Sequence, residues 1–286
     1  MLKRKFGPTD VDVPIIGQGT WKYDRVSPSQ GKKTLLAGID AGMTHIDTAE
    51  MYGTGKVEEV VGSAISGRRD DVFLVSKVLP YNADYNGTLR ACEESLRRLR
   101  TDRIDLYLLH WPSRYSLAKT LDAFRKLRED GKIVHYGVSN FDRRHLTKLY
   151  ELTEPGEIAC NQLWYSLRHR SAVERRVAEG CAERNLAVTA YSPLDAGRFS
   201  PSRRGAETLA RVASDHGATP QQVALAFLLR RAADFVIPRS LDPVHTQQNA
   251  AAAEIDLDAS ELDLIDNAFP VTEPPKKLPI TTDPWP

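Results

Sequence analysis

Short apolar runs recur along the chain: IIGQG (15–19), THID (44–47), VFLVSK (72–77), IDLYLLH (104–110), IVHYGVS (133–139), IACNQ (158–162), AVTAY (187–191) and FVIP (235–238). Each has the length of a strand rather than a helix. Between them the apolar positions switch to helical spacing. Val57, Val60, Val61, Ala64 and Ile65 fall on one helix face, as do Leu89, Cys92, Leu96 and Leu99, and again Leu117, Leu121, Phe124 and Leu127. Thr219-Pro220 reads as an N-cap and first helical turn opening QQVALAFLLRR. Strands alternating with helices imply right-handed βαβ units and a parallel sheet.

Eight such steps are the count of a closed (β/α)₈ TIM barrel, and 286 residues accommodate the roughly 250 of that fold plus extras. The extras are an N-terminal hairpin around Gly7-Pro8, an additional helix over GAETLARVASDHG (205–217), a helix over SELDLIDNAF (260–269) and a Pro-rich tail. A doubly wound sheet is the rival, but GQGTWK (17–22) lacks the third glycine of a dinucleotide fingerprint. With no linker and no repeat beyond the βα period, the expectation is an α/β chain forming one domain over residues 1–286.

Composition narrows the function classes. Hydrophobic residues at 41% suffice for a large core, and 39 Lys plus Arg against 38 Asp plus Glu leave no electrostatic footprint for nucleic acid. The basic start MLKRKFGPTD is not followed by an apolar run, and nothing approaches the roughly 18 apolar residues of a membrane span. Cys92, Cys160 and Cys181 are odd in number, widely spaced and set in apolar patterns. That argues for core packing in a reducing cytoplasm rather than a disulfide framework. No metal-ligand spacing stands out.

In a barrel of this kind the chemistry sits at the C-terminal ends of the strands. Those ends read Thr20-Trp21, Asp47 with Tyr52 in the loop beyond, Lys77, His110-Trp111, Ser139-Asn140, Gln162, Tyr191-Ser192 and Arg239-Ser240. Alone, each has a plain structural explanation: an Asp caps, a Lys is solvated, a His is packed in a core. Jointly, Asp47, Tyr52, Lys77 and His110 come from adjacent strands and face one mouth. A phenol has an unperturbed pKa of about 10, a neighbouring ammonium lowers it, and a carboxylate holds the ammonium in place. A histidine can orient a substrate oxygen. Such a set protonates a developing alkoxide during carbonyl reduction; no side chain delivers hydride, so a nicotinamide cofactor is implied.

The segments GMTHIDTAEMYG with EEVVG, LREDGKIVHYGVSNF and IPRS closely resemble the three signatures of the aldo-keto reductase family; IDLYLLHWP and AYSPL add to the match. The resemblance runs from about residue 17 to residue 250 and implies an NADP(H)-dependent barrel reductase without a Rossmann domain. It assigns Tyr52 as general acid, Lys77 and Asp47 as its tuning pair, and His110 as the residue orienting the carbonyl. It implies that Ser139, Asn140 and Gln162 hold the nicotinamide carboxamide, that Tyr191 stacks on the ring, that Thr20 and Trp21 lie near its ribose, and that Asp47 also belongs to the cofactor-binding set. Ser192, Pro193 and Leu194 would follow the pyrophosphate, and Arg239 and Ser240 the adenosine 2′-phosphate. His245, Gln248 and Asn249 stand where the family usually has Arg, Glu and Asn.

Arg239 in place of Lys keeps a permanent, forked charge, whereas His245 in place of Arg removes one. NADP(H) is therefore the preferred cofactor, with NAD(H) more readily admitted than is usual in the family. AEMYGTGKVEEVVG, IACNQLWYSL and HTQQNAAAAEIDL look most like a bacterial branch that includes methylglyoxal reductases. Trp21, Trp111 and Trp164 are candidate aromatic walls, with Tyr52 and His110 at the polar end of a pocket for a small or planar carbonyl. The tail PPKKLPITTDPWP offers two readings, a flap presenting Trp285 to the mouth or an unstructured terminus, and its composition favours the second. Glu50, inside the signature, is assigned to solvent. The partners expected are a small carbonyl compound only, with a monomer as the family expectation. Two other readings, a cofactor-sensing subunit and a phosphate-binding isomerase barrel, fit less well: the four polar positions are filled, and only Gly197 occurs in the late loops.

Overall fold

The computed structural model describes residues 1–275, 278 and 280. The N-terminal hairpin pairs β1 (Lys3–Lys5) with β2 (Asp12–Pro14) in antiparallel register. Eight parallel strands follow: β3 (Gln18–Gly19), β4 (His45–Asp47), β5 (Phe73–Val78), β6 (Ile104–Leu109), β7 (Ile133–Ser139), β8 (Cys160–Trp164), β9 (Ala187–Tyr191) and β10 (Phe235–Ile237). Their order in the sheet is their order in the chain. The ring closes where Ile16 bridges Val236 and the Gly19 N–H donates to the Pro238 carbonyl at 3.1 Å. Closure needs the glycine: a Cβ at Gly19 would lie 2.7 Å from the Ile237 carbonyl oxygen.

Helices α1 (Pro28–Asp40), α2 (Lys56–Ile65), α3 (Tyr85–Leu99), α4 (Leu117–Glu129), α5 (Arg143–Tyr150) and α6 (Ala178–Ala182) fill the crossovers, with α7 (Arg203–Asp215) and α8 (Pro220–Arg230) both between β9 and β10. Thus α7 is the additional helix expected over 205–217. After β10 come α9 (Pro243–Ala251) and α10 (Ala259–Ala268). Thr219 caps α8 in a capping box with Gln222, as Thr219-Pro220 predicted.

Strand boundaries depart from expectation by more than one residue in two places. The first strand is only two residues long, because closure reduces Ile16 to a single bridge. The sixth begins later and runs to Trp164, so Gln162 lies inside the strand, not at its end.

Two apolar regions hold the fold. The larger, between ring and helices, takes the faces predicted for α2, α3 and α4 and includes Cys92 and Cys181. The smaller fills the barrel itself: Phe6 and Val13 of the hairpin region sit with Phe73, Val75, Leu106, Leu108, Cys160 and Phe235. The hairpin therefore plugs the end of the barrel at which the strands begin. All three cysteines are free and buried, as expected.

Candidate active site

At the opposite end the interior turns polar. Lys77 and Asp47 are 0% and 2% exposed, and the ammonium Nζ donates to Asp47 Oδ1 at 2.6 Å. Removing two charges from water costs several kcal/mol per ion unless their remaining valences are met. They are met here: Nζ also donates to the Thr48 carbonyl at 2.8 Å, and Gln162 Nε2 donates to Asp47 Oδ2 at 2.8 Å. Asp47's own carbonyl accepts from Thr20, through N–H at 3.0 Å and Oγ1 at 2.8 Å. Asp, poorly suited to a strand, is thus held by the two strands beside it and, through Gln162, from β8 across the barrel. Burial pulls the Lys77 pKa down, with the Asp47 charge working against it.

Tyr52 starts a tight turn, Tyr52–Gly55, in which Gly53, Thr54 and Gly55 all have positive φ. Gly55 also packs flat on Arg98, whose Cδ would lie 2.6 Å from an added Cβ. That geometry folds the phenol back over the strand end. Its ring lies edge-on to His110, with centroids 5.9 Å apart, and Lys77 Nζ is 5.3 Å from its centre. The ammonium was expected to lower the phenol's pKa, but the direction is the reverse. Burial holds Tyr52 well above 10, and the charges of Asp47 and Tyr191 add to it, because Lys77 is turned toward Asp47 and Thr48. Tyr52 is therefore kept protonated. His110 is pushed well below its ordinary value by burial and by Lys77, and is kept neutral.

Glu50 corrects the solvent assignment. Its Oε1 accepts from the Leu79 N–H at 2.6 Å and from Asn82 Nδ2 at 3.1 Å, fastening the loop after β4 to the loop after β5. Burial raises its pKa.

A cleft of about 680 Å³ opens over these groups, a size suited to a cofactor with a small ligand. It is lined by Thr20, Trp21, Asp47, Tyr52, His110, Trp111, Asn140, Gln162, Tyr191, Ser192, Pro193, Leu194 and Arg239 among the predicted residues. Lys77 and Ser139 lie beneath, fully buried. Ser139 Oγ donates to the Gln162 carbonyl at 2.9 Å; Asn140, in a left-handed conformation, donates through Nδ2 to the His110 carbonyl at 3.1 Å and accepts from Tyr191 Oη at 2.9 Å. One hydrogen-bonded platform thus joins four strands.

Ser240, His245, Gln248 and Asn249 are not in the cleft wall. Ser240 Oγ is engaged by Asp242, to whose carbonyl it donates at 2.8 Å. Trp164 is not in the wall either; it stacks on His169 with centroids 3.8 Å apart. Trp285 lies outside the described residues, although Ile280 of the tail lines the cleft. Sequence reasoning overlooked Lys22, Asp24, Arg25 and Met51, also in the wall. They sit in loops, where no apolar period marks them.

A parallel barrel with a buried Lys–Asp pair, a protonated phenol and a neutral histidine at the C-terminal mouth defines a class, that of barrel oxidoreductases acting on carbonyl groups. Residues 15–269 match the model of the aldo/keto reductase family. The chain belongs to that family. It is 42% identical over 265 residues to methylglyoxal reductase YeaE of Escherichia coli, covering 91% of this chain and 93% of that one. To the glyoxal reductase of Bacillus subtilis it is 33% identical, with coverage of 90% and 89%. An aldo/keto reductase structure from Klebsiella pneumoniae, in complex with NADP and acetate, superposes with a TM-score of 0.89 at 40% identity, covering 98% of each chain. Among the described residues no helix is long and apolar enough to cross a membrane, and no cluster could hold a metal ion.

Proposed function

We propose that the protein reduces a small aldehyde or ketone, of the dicarbonyl kind its relatives are named for, with NADPH, and that Tyr52 supplies the proton. The dinucleotide, when bound, supplies the hydride. The cleft fits it: it runs from Asp47, Tyr52 and His110 to Arg239, with Tyr191 as a flat wall and the Ser139–Asn140–Gln162 platform at the buried end.

Here the substrate oxygen lies between Tyr52 Oη and His110. Neutral His110 donates a hydrogen bond to the oxygen and fixes its position, while Trp21 and Trp111 enclose the carbon skeleton and exclude water. As charge develops on the oxygen, the Tyr52 hydroxyl proton moves to it. The phenolate left behind is stabilised by the Lys77 ammonium, itself anchored by Asp47. Lys77 thus acts on the charged product state rather than on the resting phenol, which reconciles its role with the raised pKa of Tyr52. In this reading Asn140, Ser139 and Gln162 position the carboxamide, Ser192, Pro193 and Leu194 flank the pyrophosphate, and Arg239 with Ser240 reads the 2′-phosphate, with His245, Gln248 and Asn249 on α9 beyond. NADH is admitted as a weaker cofactor. The whole chain acts as one domain, as a monomer in the cytoplasm.

The observation that carries the reading is the buried Lys77–Asp47 pair beneath a protonated tyrosine at the cleft floor. The Tyr52→Phe variant should lose about 10²- to 10⁴-fold in methylglyoxal reduction while still quenching on NADPH binding. Full turnover in that variant would remove Tyr52 from the mechanism.

A further inference from the structure

The helical turn Tyr23–Arg25 sits between β3 and α1 and is anchored by Tyr23, which is buried. Its other two residues, Asp24 and Arg25, both line the cleft. Asp24 leans on the Tyr52 loop: a Cβ added to Gly53 would lie 2.7 Å from Asp24 Cβ. Arg25 shares the cleft with Arg239, which rests against Gly197. Burial weighs against the Arg239 cation, the Tyr23 phenol partly offsets it, and the Arg25 charge adds to the cost.

Among the described residues neither guanidinium has an ion-pair partner. Other arginines of the chain do: Arg68 with Asp40, Arg98 with Glu58, Arg170 with Glu174 and Asp266. Two like charges on one cleft, Arg239 part-buried and Arg25 exposed, repel unless an anion lies between them, and forked guanidinium donors match phosphate.

A second observation raises the demand on these side chains. A helix N-terminus is the ordinary seat for a phosphate, and α9 begins immediately after Arg239-Ser240. Its N-terminus is already taken. Asp242 Oδ1 accepts from the Val244 N–H at 2.7 Å and the His245 N–H at 3.2 Å. With the helix end capped by a carboxylate and the Ser240 hydroxyl shared with Asp242, the negative charge of a phosphate here is met chiefly by side-chain cations, with Ser240 at its flank.

We propose that Arg25 is a phosphate-gripping residue of the cleft, closing on a cofactor phosphate from the side opposite Arg239. The proposal rests on the dinucleotide reading above. Which phosphate it grips, the pyrophosphate or the adenosine 2′-phosphate, is decided by comparing cofactors.

The test measures dissociation constants of NADPH and NADH by fluorescence quenching for wild type, Arg25→Ala and Arg25→Lys. Arg25→Ala should bind NADPH about ten- to a hundredfold more weakly, the loss expected for a charge-assisted contact, and Arg25→Lys should recover part of it. Arg25 is exposed and makes no ion pair among the described residues, so apo thermal stability should not fall. Weakening confined to NADPH assigns the 2′-phosphate; equal weakening of NADH assigns the pyrophosphate. Unchanged NADPH affinity in Arg25→Ala overturns the proposal. A wild-type protein that binds neither dinucleotide would instead overturn the cofactor reading beneath it.

Discussion

The two ends of the barrel each bury a histidine, and the pair shows how little a titration shift says by itself. His45, at the plugged end, is ringed edge-on by Phe6, Phe73 and Phe235 at centroid distances of 5.8, 5.5 and 6.0 Å. His110, at the open end, lies against Tyr52 and Trp111 at 5.9 and 4.9 Å. Both are driven toward the neutral form by the same causes in the same order, burial first and the Lys77 charge second, His45 to about 3 and His110 well below its usual value. What separates them is access. His110 borders the cleft together with Tyr52, whereas His45 is closed off by the hairpin. The same perturbation is chemistry at one end and packing at the other.

The comparison breaks most severely if the Lys77–Asp47 pair is split. Lys77→Met leaves a buried carboxylate without its cation, and denaturant unfolding should show a loss of about 3–5 kcal/mol together with lost turnover. Replacing both residues by apolar ones should return most of the stability and none of the activity. If the double variant stayed as unstable as the single, the pair would be a structural element of the open end, and the contrast between ends would fail.

The two histidines give the next test. His110→Gln should lower kcat by about 10²-fold with modest change in stability. His45→Leu should leave kcat near wild type and alter acid stability instead. A histidine whose folded pKa lies below its unfolded value contributes stability above about 6.5, and that contribution drains away as pH falls toward about 3. Between neutrality and about pH 5 the native protein should therefore lose about 2 kcal/mol through His45, a loss absent from His45→Leu when melting is followed at both pH values. A large fall in kcat for His45→Leu would mean that the plugged end reaches the chemistry after all.

The smallest effect is expected at Glu50. Glu50→Ala frees the Leu79 N–H and should reduce kcat several-fold, about the consequence of one lost buried hydrogen bond, because the loop carrying Tyr52 loses its tie to the neighbouring strand end. Glu50→Gln, which keeps an acceptor, should restore most of it. Equal activity in all three proteins would reduce the clamp to a structural contact without influence on turnover.

Much was legible in the chain because its signals are local. Alternation of short apolar runs with helical faces gives the eight-step barrel, since each element must bury one side whatever the final arrangement. The strand-end residues Asp47, Lys77, His110, Asn140 and Tyr191 followed from that count. The loops resisted: Arg25, Asp24 and Met51 carry no periodicity, and Trp164 looked like a pocket wall until its ring was found on His169. Glu50, apparently a solvated acid, is tied down by a backbone N–H of the next strand's loop, a partner 29 residues away.

The sequence by itself determined the period, the family signatures and which polar groups stand at the strand ends, because period and strand-end chemistry are properties of neighbouring residues. Only the tertiary structure decided the protonation states: the direction of the Tyr52 shift depends on where Lys77 points and on how much water burial removes. It likewise brought Arg25 into the cleft with Arg239, since which charges share a desolvated cleft is set by distances across the barrel and not along the chain.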